Sequence, residues 1–144
     1  MIRLRNVYET KHAYLYLYRL LEQRRPGESI SHTEMPSLVA HKQFVLAKPY
    51  RMWAIIETME TPEWVGAVLL TQNNEIGISI DTEHRRKGYA RAAIERVRRD
   101  YEPLPAAASK RPGYFVANIA PTNPASIALF TGLGAVHIQN TYRL

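Results

Sequence analysis

Residues 75–91, EIGISIDTEHRRKGYAR, constrain the fold more than any other part of the chain, because they join an alternating strand pattern to a basic glycine turn and an amphipathic helix pattern. Ile76, Ile78 and Ile80 alternate with Gly77, Ser79 and Asp81, which puts the isoleucines on one face of a strand. Arg85, Arg86, Lys87 and Gly88 turn the chain, and Ala90, Ala93, Ile94, Val97 and Tyr101 then recur at helical spacing. A helix N-terminus exposes backbone N–H groups without intrahelical partners and carries the positive end of the helix dipole. Gly88 permits close backbone approach and three consecutive cations add charge, so this layout suits a diphosphate.

The remaining sequence reads as short alternating elements. Residues 2–7 form an opening strand, and Thr10 is the expected cap of a helix that runs to residue 25 and is closed by Pro26-Gly27. Tyr14, Leu17, Tyr18 and Leu21 share one face of it, as core packing. A shorter helix is expected over 37–47, stopped by Pro49. Residues 50–58 and 64–71 have strand composition, and Asn73-Asn74 turns the second of these back antiparallel onto 75–81, giving a three-stranded meander. A proline- and alanine-rich loop covers 102–112, and a strand is expected over 114–118. Asn123 then caps a helix whose first residue is Pro124 and which Gly134 ends, before one or two short strands over 135–144.

A chain of 144 residues with 46% hydrophobic content supports one sizeable core. With no cysteine there is no disulfide, no cysteine metal site and no acyl-cysteine intermediate. The opening MIRLRNVYETK lacks the apolar run of a secretion signal, and no apolar stretch of about 18 residues occurs, so the expected location is cytoplasmic. A net charge of +6 favours polyanionic ligands without selecting nucleic acid among them.

The run Arg85-Arg86-Lys87-Gly88-Tyr89-Ala90 resembles the R/Q-x-x-G-x-G/A signature of the GCN5-related N-acetyltransferases (GNAT), whose turn after the fourth strand grips the pyrophosphate of acetyl-coenzyme A. Residues 118–135, NIAPTNPASIALFTGLGA, resemble the family's other half, a strand end followed by N-x-x-S/A-x-x-L-Y/F-x-x-x-G-F. The resemblance implies a mixed α/β fold: a central, mostly antiparallel sheet of six to seven strands, splayed between the fourth and fifth and flanked by about four helices, in a single domain over 1–144. It further implies a direct acetyl transfer from acetyl-coenzyme A to a primary amine, with acetyl-coenzyme A as co-substrate and no metal. Ile78, Ser79, Ile80 and Asp81 would pair with the pantetheine arm as if it were another strand. Backbone amides of Arg86, Lys87, Gly88, Tyr89, Ala90 and Arg91 would hold the diphosphate beside Arg85. Asn118, Asn123 and Ser126 would line the other wall, where Asn123 also reads simply as a helix cap.

Transfer requires a free amine, so a proton must be removed from an ammonium that titrates near pKa 10. Many relatives carry an acid where Glu75 stands, which makes Glu75 the first candidate for the base and Glu57 the second; closing a hairpin is the plainer role for Glu75. None of His12, His32, His41, His84 and His137 is distinguished by its context. The family's usual proton donor is a tyrosine at the position of Phe130, which has no proton to give; Tyr142, Tyr89 or water could supply it, or the thiolate could leave unprotonated. Ala135 also replaces the usual phenylalanine. Residues 22–35 would border the acceptor entrance, and their mixed charges select no substrate. Three readings follow: an amine acetyltransferase, a non-catalytic acyl-coenzyme A-binding module of the same fold, and a basic nucleic-acid-binding protein. Homodimerisation is left open.

Overall fold

The structure, a computed structural model, describes residues 1–25, 27–29 and 34–144; Pro26 and His32 lie outside them. Four strands, β1 (Ile2–Asn6), β2 (Met52–Thr58), β3 (Trp64–Leu70) and β4 (Ile76–Ile80), form one antiparallel sheet in the order β1-β2-β3-β4. Four helices complete it: α1 (Ala13–Glu22), α2 (Leu38–Leu46), α3 (Tyr89–Asp100) and α4 (Pro124–Gly132).

Local chemistry sets most of these boundaries. The Ser37 hydroxyl accepts the Ala40 N–H at 3.1 Å and starts α2, and the Asn123 side chain accepts the Ser126 N–H at 3.2 Å with Pro124 in the first turn of α4. The start of α1 departs from expectation. Thr10 bonds back to the Asn6 carbonyl and closes a 3-10 turn over Val7–Glu9, so α1 begins three residues later behind His12, whose φ is 60°. The helix buries Ala13, Leu17 and Leu20; of the expected face Leu17 is in the core, while Tyr14, Tyr18 and Leu21 are half-buried.

β2 is buried on both sides, as a near-continuous apolar run should be. On one side Ala54, Ile56, Val68, Leu70 and Ile76 pack against Ala93, Ile94 and Val97 of α3 and Phe130 of α4. On the other, Trp53, Ile55 and Ala67 pack against Leu17 and Leu20 of α1 and Val45 of α2. At the end of β2, Glu57 is buried, accepts Trp64 Nε1 at 2.8 Å and pairs with the Arg3 and Arg5 guanidinium groups from β1.

The expected six to seven strands are a correction: among the described residues there are four. Residues 114–118 meet the sheet only through one parallel bridge between Glu75 and Val116, with Ile76 N–H on the Val116 carbonyl at 2.8 Å and Val116 N–H on the Asn74 carbonyl at 2.9 Å. Residues 135–144 form no strand, and Val136, Ile138 and Tyr142 are exposed. The bridge is held by Asn74, fully buried with φ at 65°. Its amide donates to the carbonyls of Leu104 (2.9 Å) and Pro112 (2.8 Å) and accepts the Leu104 N–H (2.7 Å), fixing the loop that carries the chain to residue 116.

Replacing Asn74 by Ala strands three buried backbone groups and is expected to cost about 3 kcal/mol of stability in urea denaturation; a loss below about 1 kcal/mol would mean that water takes over those bonds. The Arg3 and Trp64 bonds hold the Glu57 carboxyl below the usual carboxylate range. A carboxyl depressed by folding stabilises the protein above its unfolded pKa of about 4.3 and loses that contribution as pH falls through the folded value. Glu57→Gln is therefore expected to lower the thermal midpoint at pH 7, with the gap to the native protein narrowing below about pH 4; a pH-independent gap would refute the ion-pair account.

Candidate active site

The bridge at Glu75 brings the chain beside β4 and then lets it diverge, leaving an open edge. Thr71 N–H bonds the Glu75 carbonyl at 2.9 Å and Asp81 N–H bonds the Val65 carbonyl at 2.9 Å, so odd-numbered residues of this stretch turn their backbone groups toward β3. The even-numbered residues face the other way: Ile76 binds Val116, and beyond it the N–H and C=O of Ile78 and the N–H of Ile80 look into the gap. The Ile80 carbonyl already accepts Arg85 Nε at 3.2 Å. Of the four residues expected to pair with a pantetheine arm, Ile78 and Ile80 present their backbone to the gap, while Ser79 and Asp81 direct theirs to β3. The Asp81 side chain is buried, accepts the Glu83 N–H at 3.2 Å and faces Arg19 of α1 at 3.6 Å.

The gap runs into the turn that starts α3. Arg86 (φ 62°) and Gly88 (φ 85°) are both left-handed, and no side chain caps the helix, so the N–H groups of Tyr89, Ala90 and Arg91 stay free of side-chain partners. A Cβ built on Gly88 meets nothing within 4 Å, so the space above the turn is open. The basic side chains divide. Arg85 is turned back toward Ile80 and faces Glu28 at 4.0 Å, and Arg91 is tied to Glu95 at 3.1 Å and to the Gly132 carbonyl at 3.4 Å. Arg86 and Lys87 are exposed and have no partner among the described residues.

The opposite wall is the start of α4. Asn123 caps that helix and also donates to the Glu28 carbonyl at 3.4 Å; Ser126 is half-buried beside it, and Asn118 is exposed. Thr122 donates its hydroxyl to the Gly27 carbonyl at 2.5 Å, so residues 27–28 touch both walls, and Gln23 accepts the Thr82 N–H at 3.0 Å. Of the expected acceptor border over 22–35, residues 26 and 30–33 lie outside the described residues.

The candidate proton-handling groups separate clearly. Glu75 is half-buried, and its carboxylate has no hydrogen bond or ion pair among the described residues. Glu57 is committed to Arg3, Arg5 and Trp64 and lacks a free face. Tyr142 is 80% exposed on the coil after α4, and Phe130 is buried at 8% exposure in the core. His84 pairs with Glu63 at 3.2 Å. Sequence reasoning missed Tyr50, just before β2, whose phenol is pushed up by burial first and then by the Glu75 charge, with Arg24 opposing. Nothing in its sequence context separates it from the core aromatics nearby. Two surface cavities, of about 200 and 280 Å³, lie elsewhere: one between the start of α1 and Lys48, the other between β2 and the end of α3. Among the described residues no group of histidines, aspartates and glutamates could hold a metal, and no helix is long and apolar enough to cross a membrane.

The fold is shared with solved structures. A domain from Methanocaldococcus jannaschii superposes with a TM-score of 0.72 at 23% identity, covering 93% of this chain and 87% of that one. An acetyltransferase from Thermus thermophilus gives 0.71 at 17% identity, covering 97% and 90%. A dodecameric spermidine N-acetyltransferase from Vibrio cholerae gives 0.65 at 19% identity, covering 96% and 81%. No curated protein matches the sequence. An open fourth-strand edge leading into an uncapped, basic helix start is matched by the sequence itself: residues 2–136 fit the family model described as acetyltransferase (GNAT) domain, and the chain belongs to the GNAT family of acetyltransferases.

Proposed function

We propose that this chain, as a single domain, transfers the acetyl group of acetyl-coenzyme A to a primary amine. The observation that carries this reading is the continuity of the open β4 edge with the α3 N-terminus. Ile78 and Ile80 offer amide-pairing groups, and at the end of the same gap the Tyr89, Ala90 and Arg91 N–H groups converge on open space suited to a diphosphate. Arg86 and Lys87 add charge there, and Asn123 and Ser126 close the far wall.

On this reading Glu75 takes the proton from the acceptor ammonium. It is the carboxylate beside the gap that keeps its lone pairs unengaged among the described residues, and a base needs a free lone pair within reach of its proton. Backbone N–H groups on the open edge are suited to charge developing on the thioester oxygen. Phe130 has no proton to give, and on this reading the thiolate leaves directly or through water, which its pKa near 8.5 permits. The burial of Phe130 also favours a second reading, a coenzyme-binding module without turnover. The name of the Vibrio cholerae relative makes spermidine the natural first acceptor to try.

Calorimetric titration with acetyl-coenzyme A, followed by thiol release against spermidine, n-butylamine and glycinamide, tests both readings. Micromolar binding with release is expected; binding without release would favour the module, and no binding would remove the coenzyme site. Gly88→Val places a side chain in the open space at a left-handed φ and is expected to weaken acetyl-coenzyme A binding at least about tenfold, because displaced backbone amides no longer reach the phosphates; unchanged affinity would take the turn out of the account. Glu75→Gln is expected to lower kcat at least about a hundredfold with coenzyme affinity intact, most severely at low pH, where little free amine exists. An unaltered pH–rate profile would assign the deprotonation to water.

A further inference from the structure

Tyr50 is the polar aromatic group that the reaction above leaves unused. Its backbone is locked: Tyr8 donates its hydroxyl to the Tyr50 carbonyl at 3.1 Å and accepts the Tyr50 N–H at 3.0 Å. Its ring is wedged against Trp53, centroids 4.8 Å apart, and Phe44, 5.8 Å, both in edge-to-face geometry. The part of the side chain left for other use is the hydroxyl. That oxygen has no hydrogen-bond partner among the described residues, yet it is not one of the unpaired atoms sealed from solvent. The Tyr16 phenol, by contrast, is both unpartnered and sealed; it stands edge-on to Trp64 and feels Asp81, Arg19 and Glu63.

Tyr50 also lies on the side of the sheet that Glu75 occupies. Trp53, Leu69 and Gly77 form one row across β2, β3 and β4, and Glu75, two residues before Gly77 and just ahead of β4, lies on the same face. Burial and the Glu75 charge keep the phenol neutral, so it offers a lone pair while Glu75 supplies the negative charge. A rigid neutral acceptor and a carboxylate acceptor, both unpartnered among the described residues, complement a group that carries more than one N–H.

Resting on the acetyl-transfer reading above, we infer that Tyr50 is a specificity-determining residue of the acceptor site, accepting one N–H of the attacking nitrogen while Glu75 accepts another, and so selecting primary amines. The nitrogen lone pair then points at the thioester carbon. Glu75 first passes the ammonium proton to water and is a carboxylate again; then the C–N bond forms, the C–S bond breaks, and the second proton shed by the nitrogen passes through Glu75 and water to the thiolate sulfur. Amine and thioester become amide and thiol, and Tyr50 neither gains nor loses a proton. A secondary amine has one N–H fewer and cannot satisfy both oxygens after deprotonation.

The test compares n-butylamine with N-methylbutylamine at saturating acetyl-coenzyme A in the native protein and Tyr50→Phe. The substitution keeps the ring packing and removes only an oxygen that has no described partner, so the variant is expected to fold. It should raise KM for n-butylamine roughly three- to tenfold, the worth of one hydrogen bond, and shrink the preference for the primary amine by a similar factor, with coenzyme affinity and the pH–rate profile unchanged. An unchanged KM and preference would overturn the inference, as would a fall in kcat accompanied by an altered pH profile, which would make the phenol a proton carrier instead. Absence of turnover by the native protein with both amines, despite acetyl-coenzyme A binding, would overturn the transfer reading itself and this inference with it.

Discussion

The cleft depends on one buried amide. Asn74 has no access to water, so its side chain must find protein partners, and it finds them in the backbone of Leu104 and Pro112. Those bonds fix where the proline-rich loop returns, and that return delivers Val116 to β4 for a single bridge before the chain diverges. A longer fifth strand would have satisfied Ile78 and Ile80 and sealed the sheet. An open strand edge leaves backbone groups that only water or an incoming chain can satisfy. The divergence therefore leaves that edge open to an incoming chain, and the glycine turn at its end continues the same surface into the α3 N-terminus.

The segment 75–91 was legible because everything it encodes is local: alternation, a glycine with positive φ and helical spacing all act within a few residues. The caps at Ser37 and Asn123 were legible for the same reason. What was not legible depends on partners distant in sequence. Residues 114–118 have strand composition, but extended pairing needs a neighbour in register, and the Asn74-anchored loop permits one bridge. Residues 135–144 likewise carry alternating apolar residues without a partner strand among the described residues. The displaced start of α1 turns on a Thr10 hydroxyl that bonds backward to Asn6 rather than forward into the helix, two options a cap residue always has.

The same distinction separates the two carboxylates. In sequence, Glu57 and Glu75 both sit at strand ends with similar claims to be a base. The pairing of β1 with β2 places Arg3 directly across from Glu57, and the strand irregularity at Ile56/Glu57 brings Trp64 opposite it, so its oxygens are occupied and its charge is stabilised. Such a carboxylate is a poor proton acceptor because the bonds from Arg3 and Trp64 favour the ionised form and outweigh the opposing effect of burial. Glu75 lies at the strand junction, where pairing stops, and among the described residues no arginine forms an ion pair with it. Tyr50 escaped notice for the converse reason: its ring belongs to an aromatic cluster like any other, and only its unoccupied hydroxyl, facing the field of Glu75, distinguishes it.

On the acetyl-transfer reading, the distribution of charge would let a protein of net charge +6 favour one anion over polyanions in general. Arg85, which opens the signature, and Arg91, in the first turn of α3, direct their side chains to Ile80, Glu28, Glu95 and Gly132 and so act mainly on the protein itself. Arg86 and Lys87 stay exposed, where salt reduces their pull beyond about 10 Å. They draw an anion toward the turn, but they cannot define its shape. Shape is left to the backbone, through the left-handed residues at 86 and 88 and the amides that follow them. Recognition built on fixed amides survives salt better than recognition built on mobile cations. On that reading the local geometry of the turn, more than the overall basicity of the chain, would single out a phosphate group.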